Sequence, residues 1–149
     1  MNRVLIGLLY LLVGLTLATE GVAIARPAPE ATLQERLIGT WRLVSARYGG
    51  EDQKFPEGTT TLKHVTPAQF MWASYGADGT VTRAAGGTYS LKGDVYEETP
   101  QYGLSADFDT IRGKAQMFKC AIDGDRWHHV GKLSNGLTID EVWERVGRK

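Results

Sequence analysis

Phe118-Lys119-Cys120-Ala121-Ile122-Asp123-Gly124-Asp125-Arg126-Trp127-His128-His129-Val130-Gly131-Lys132-Leu133-Ser134-Asn135-Gly136 reads as strand, turn, strand, turn. Phe118, Cys120 and Ile122 alternate with polar or small residues, which is the period of a half-buried strand. Asp123-Gly124-Asp125 and Ser134-Asn135-Gly136 supply the positive φ that tight hairpins demand. Two strands joined this closely must run antiparallel.

Outward from this hairpin the pattern repeats. Short runs rich in Val, Ile, Thr, Tyr, Phe and Trp recur between glycine-containing turns, and no segment keeps a helical period for long. Strands are predicted at 40–48, 60–66, 69–75, 80–84, 86–92, 94–102, 114–122, 125–133 and 137–146. Turns are predicted at Tyr48-Gly49-Gly50, Gly76-Ala77-Asp78-Gly79, Lys92-Gly93-Asp94 and the two above. Pro56 and Gly58 mark the longest early loop, and 103–112 is a loop or one helical turn around Asp107-Phe108-Asp109. Consecutive hairpins make a meander, and a meander of about eight or nine strands removes its exposed edges by closing. The expected fold is all-β, a single antiparallel up-and-down barrel, with room inside for side chains or one small ligand.

Ahead of the strands, residues 1–25 have the parts of a secretory signal: Arg3, an apolar run from Val4 to Leu17, and Ala23-Ile24-Ala25 as a small-x-small cleavage site. The apolar run falls short of the ~20 residues a spanning helix needs, so export followed by cleavage near Ala25 is expected, with no stable membrane insertion afterwards. Residues 26–38 form an arm with two prolines and a short helix, because Leu33, Leu37 and Ile38 fall at helical spacing. Gly39 is expected to stop that helix, and the helix to cover one mouth of the barrel. Residues 39–149 are the barrel.

Charge and cysteine content narrow the function. The chain has 17 basic and 17 acidic residues, and the signal removes one of each, Arg3 and Glu20. No basic surplus remains for nucleic acid, which needs one on a face. Cys120, the single cysteine, cannot form an internal disulfide, and between Phe118 and Ile122 on one face it is expected to be buried and inert.

Gly39-Thr40-Trp41 on the first strand and Trp143-Glu144-Arg145 on the last resemble the lipocalin and calycin pattern. Further stretches extend the likeness in order: Val65-Thr66-Pro67 with Phe70-Met71-Trp72, Ala85 to Tyr96, Asp123 to His128, and Asp140 to Arg145. Together they are similar to exported lipocalin-like domains of bacteria whose function is unknown. The resemblance implies a barrel with an internal pocket, closed at one end by Trp41 packed under Arg145. It brings no reaction, cofactor or ligand.

The residues themselves indicate where a guest would sit. Ile139, Glu141, Trp143 and Arg145 share a face of the last strand. An inward Glu141 needs a partner such as Arg145, a tyrosine hydroxyl or a histidine, because an unpaired buried carboxylate is costly. Trp127 and His129 turn inward and His128 outward, since Trp127, His129, Gly131 and Leu133 make the more apolar face. Phe70, Trp72 and Ser74 alternate with Met71, Ala73 and Tyr75, so either parity offers an aromatic wall; Tyr89 follows the Gly86-Gly87 pair where a strand can bend, and Tyr96 shares a face with Glu98. Tyrosine and tryptophan join an apolar body to one polar tip, which suits an amphipathic guest, although the same rings could simply fill a small barrel.

The candidate ligand-binding set is therefore Phe70, Trp72, Tyr89, Tyr96, Glu98, Trp127, His129, Glu141 and Trp143, with Trp41 and Arg145 structural. No metal site or cofactor is expected, because His128 and His129 cannot both face one site; His64 or His129 remains conceivable as an axial haem ligand. The favoured function is a non-enzymatic carrier of a small apolar or amphipathic molecule, with oligomeric state undetermined. The alternatives are an isomerase or cyclase using Glu98 or Glu141 with His129 and tyrosines, and a solid barrel that binds another protein in the envelope. A filled interior would remove both small-molecule readings.

Overall fold

The computed structural model describes residues 30–147. The signal segment and the first residues of the arm lie outside the described residues. The chain runs α1 (Leu33–Leu37), β1 (Gly39–Tyr48), β2 (Glu51–Asp52), β3 (Thr60–Val65), β4 (Gln69–Tyr75), β5 (Val81–Lys92), β6 (Val95–Leu104), α2 (Phe108–Ile111), β7 (Gln116–Asp123), β8 (Arg126–Lys132) and β9 (Thr138–Val146).

Each of β3 to β9 pairs antiparallel with its neighbour in sequence, β1 pairs with β3, and β9 returns to pair with β1 from Thr40↔Val146 to Tyr48↔Ile139. That last ladder closes an eight-stranded barrel, with β2 left outside as a short hairpin extension of β1. Closure forces alternate side chains of every strand into one interior. In β7 the alternation is complete, with Gln116, Phe118, Cys120 and Ile122 buried and the residues between them exposed.

Three register shifts depart from the simple pattern, one of them between Ser74 and Tyr75 of β4 where it pairs with β5. Predicted strands 80–84 and 86–92 are one continuous β5. The bend at Gly86-Gly87 is met by an extra residue in β6, so that Gly86 faces Tyr102 and Gly87 faces Pro100 with Gln101 between. A Cβ on Gly87 would stand 2.0 Å from the Thr99 carbonyl oxygen, so only glycine allows this approach. In β1, Leu43 faces Trp143 and Ser45 faces Val142, leaving Val44 as the bulged residue. The bulge switches the inward parity from Trp41 and Leu43 to Ala46 and Tyr48.

Helix α1 starts with a capping box, in which the Thr32 hydroxyl and the Glu35 side chain satisfy each other's backbone N–H groups. Leu37 is fully buried under it. Gly39 does not act as a helix cap. Ile38 is already extended, and Gly39, at φ 144°, is the first residue of β1. Its missing side chain makes room for Arg145, whose Nη1 would lie 2.6 Å from a Cβ there.

This end of the barrel is sealed. The Arg145 guanidinium lies 4.1 Å above the Trp41 ring and donates to the carbonyls of Ile38, at 3.0 Å, and Arg36. Trp41 Nε1 donates to the Leu37 carbonyl at 2.8 Å. Behind Trp41 the Trp127 ring meets it edge to face at a centroid distance of 5.4 Å, and Tyr96 in turn meets Trp127 edge to face at 5.5 Å. Cys120 is buried in the same cluster, and burial pushes its thiol pKa up to about 11. Trp41→Ala is expected to cost about 3–5 kcal/mol, seen as a lower urea midpoint at unchanged slope.

Candidate functional site

Above this aromatic plug the barrel is hollow. A cavity of about 170 Å³ runs from the level of Trp143 and Phe70 to the opposite end. Its walls carry Phe70 and Trp72 from β4, Ala85 from β5, Glu98 from β6, Phe118 from β7, His129 from β8, and Ile139, Glu141 and Trp143 from β9. The far mouth is formed by exposed Phe55, Arg83, Asp107, Asn135 and Leu137, with Phe108 and Ile111 of α2 beside them.

Phe70, Trp72, Glu98, His129, Glu141 and Trp143 of the predicted set line this cavity. Tyr96 and Trp127 lie beneath it in the plug. Tyr89 sits toward the sealed end, where its hydroxyl donates to the Thr66 carbonyl at 2.7 Å and meets Gln34 Nε2 at 2.8 Å. Trp41 and Arg145 are far from the mouth, at the seal. His64 is on the outer face, 3.0 Å from the Thr40 hydroxyl, because Thr61, Lys63 and Val65 occupy the inward positions of β3; it cannot serve as a ligand inside the barrel. His128 also points outward, to Asp140 at 2.8 Å. Among the described residues no group of three or more His, Cys, Asp or Glu is arranged to hold a metal ion.

Lys63 and Tyr48 are interior residues that strand alternation in the sequence did not reveal. Lys63 is 2% exposed and its Nζ lies 2.5 Å from Glu98 Oε1. The rings of Phe70, Tyr96, Trp127 and Trp143 surround the ammonium, with centroids 5.0–5.5 Å away. An ion pair alone recovers the desolvation of a buried lysine poorly, and the ring faces add further attraction. The signal that could have found Lys63 is its register against Trp72 on β4.

Glu141 accepts two hydrogen bonds and faces a histidine. Tyr48 donates to Oε1 at 2.7 Å, Trp143 Nε1 to Oε2 at 3.1 Å, and His129 Nδ1 lies 3.4 Å from Oε2. Burial pushes the Glu141 pKa up, but His129, Lys63 and Tyr48 outweigh it, and the carboxyl stays below its ordinary range. Burial and then the Lys63 charge lower the His129 pKa, and Glu141 only partly offsets them. Tyr48 is pushed well above its usual pKa by burial and by Glu141, so it remains a donor. The resting state is therefore Glu141 ionised and His129 neutral. Of the two ring nitrogens, Nδ1 is the one that faces the Glu141 carboxylate.

No family profile and no curated protein matches the chain. Among solved structures it is similar to a redesigned β-barrel, at 16% identity and a TM-score of 0.49, covering 76% of this chain and 95% of that one. A de novo designed fluorescence-activating β-barrel is similar at 14% identity and a TM-score of 0.45, covering 75% and 95%. The fold rests on the closed strand ladder described above.

The buried pair gives a direct test. Lys63→Met leaves Glu98 buried without its cation and is expected to cost about 3–5 kcal/mol, while Lys63→Met combined with Glu98→Leu recovers most of it; equilibrium unfolding of the three proteins checks this. Acid sensitivity follows from the two shifts. His129 and Glu141 both have folded pKa values below their unfolded ones, so the unfolded chain binds more protons and stability is lost as pH falls. The loss begins near the ordinary histidine value, about 6.5, and continues through the carboxylate range near about 4.3. Urea midpoints between pH 8 and 4 should show both stages, and His129→Phe should remove the first.

Proposed function

We propose that this chain is an exported barrel that binds one small apolar or amphipathic molecule in its interior. The observation that carries the reading is the cavity itself, which is walled by aromatic and aliphatic side chains and has two sets of fixed polar groups, Lys63–Glu98 and His129–Glu141. Concave, mostly apolar sites with a few placed polar groups are the usual form of a small-molecule pocket. Export rests on the signal-like segment at 1–25, and the lipocalin-like assignment on Trp41 stacked under Arg145. The size favours a small guest, because an apolar cavity of about 150 Å³ holds a single benzene.

A barrel isomerase or cyclase is less well supported. Glu98 is neutralised by Lys63 and Glu141 already accepts from Tyr48 and Trp143, so neither is poised as a general base. A solid interaction barrel is disfavoured by the hollow interior.

Thermal unfolding in the presence of single-ring aromatics and short-chain amphiphiles tests the reading. A ligand at a hundredfold excess over its Kd should stabilise the protein by about 2.7 kcal/mol. Ala85→Leu, which adds bulk to the cavity wall, should keep the β circular dichroism spectrum and lose the shift. A library that moves neither protein would overturn the binding role.

A further inference from the structure

Three cavity-lining side chains near the mouth form one row across adjacent strands. Thr61 on β3 is paired with Ser74 on β4, and Ser74 with Arg83 on β5, so neighbours in the row stand about 5 Å apart. The next row toward the seal is Lys63, Trp72 and Ala85 on the same three strands, with only a methyl group at Ala85 beside the Trp72 ring.

The mouth row has donors to spare. The Thr61 and Ser74 hydroxyl oxygens are 2.7 Å apart, a bond that uses one of their two hydroxyl hydrogens and leaves the other. Among the described residues none gives the Arg83 guanidinium a hydrogen bond or an ion pair. Its charge is nevertheless felt inside the barrel, at the Tyr48 hydroxyl, where it opposes the rise in pKa caused by burial and Glu141.

The other charges around this space are committed. Lys63 is 2.5 Å from Glu98, Glu141 accepts from Tyr48 and Trp143, and His129 stays neutral. Asp107 stands at the mouth but is exposed, where solvent screens it. One guanidinium without a counter-ion beside a spare hydroxyl hydrogen matches one carboxylate, whose two oxygens meet the planar fork of Arg83 and still have a lone pair for the hydroxyl. A dianion would bring a second charge toward Glu98 and Glu141 that nothing there neutralises.

On the interior binding role proposed above, we propose that the guest is a small monocarboxylic acid with an apolar body about one ring in size, its carboxylate at the mouth on Arg83, Ser74 and Thr61 and its body inside against Trp72 and Ala85. A cavity of about 170 Å³ takes one ring and excludes a long alkyl chain.

Calorimetric titration at neutral pH with phenylacetate, its neutral isostere phenylacetamide and the cation benzylammonium tests this. Phenylacetate should bind about tenfold more tightly than the amide, the effect of one hydrogen bond to a charged group, and benzylammonium more weakly than either. Added salt should shrink the carboxylate's advantage, because Arg83 is exposed. Arg83→Gln should remove that advantage, and Ala85→Leu should abolish binding of both phenylacetate and the amide. Equal binding of phenylacetate and phenylacetamide to the wild type, tighter binding of benzylammonium, or an advantage that survives Arg83→Gln would overturn the carboxylate inference while leaving interior binding in place. Phenylacetate binding that survives Ala85→Leu would place the anion on the outer surface and overturn it as well. If none of the three binds and no other compound shifts the melting temperature, the interior role falls too. The wild-type ligand comparison stands even if a variant does not fold.

Discussion

The ladder between β1 and β9 is the constraint on which the rest depends. Without it the sheet has two free edges and no inside. Arg145 fastens that ladder at one end, because it is the β9 residue directly opposite Trp41 and reaches past Gly39 to the carbonyls that end α1. A single side chain thereby joins the first strand, the last strand and the covering helix. It also lets the two ends of the barrel differ, since a tightly plugged end frees the other from having to be filled.

Burial of Lys63 and Glu141 works against stability in isolation. Each is charged in a space from which water is largely excluded, and each is tolerated because its partners are already in place. For Lys63 those partners are one carboxylate and four ring faces, and for Glu141 a hydroxyl, an indole and an imidazole. The donors and acceptors come from different strands: β3 with β6 for the first pair, and β1, β8 and β9 for the second. A slip of one residue in any of these would turn a charged group out of its pairing, so the polar interior fixes register as firmly as the apolar one.

Much of this was legible in the sequence. Glycine and asparagine turns located the hairpins, strand alternation turned Glu98, His129, Glu141 and Trp143 inward, and Gly39, Trp41 and Arg145 marked the seal, whereas alternation alone left either face of β4 able to supply the aromatic wall that Phe70 and Trp72 provide. Tyr48 was not legible, because strict alternation from Trp41 puts it outside; only the bulge at Val44, a matter of pairing, brings it in. Lys63 was hidden for a different reason. Hydrophobicity alone would send Leu62 inward and Lys63 out, and the reverse holds because Lys63 finds Glu98 and a ring of aromatics contributed by distant strands. The division of one aromatic set into plug and wall, with Tyr89, Tyr96 and Trp127 toward the seal, depends on where each strand lies along the barrel axis. That stagger follows from the closed ladder rather than from any local pattern.

The mouth of the cavity coincides with the weakest part of its wall. β6 pairs with β7 only from Val95↔Lys119 to Glu98↔Gln116, although β6 continues to Leu104. Beyond Glu98 the space between the two strands is taken by α2, whose Phe108 packs against Gly103 and whose Arg112 lies over the Phe108 ring at 4.6 Å. Four residues of helix held mainly by one buried phenyl ring open more readily than a strand ladder, because little apolar surface is exposed when they move. At the other end the seal combines a stacked guanidinium, two carbonyl acceptors and a plug of three aromatic rings. The α2 side, where Asp107 and Arg83 line the mouth, is therefore the less firmly closed end of the cavity, and Trp143 lies at its floor.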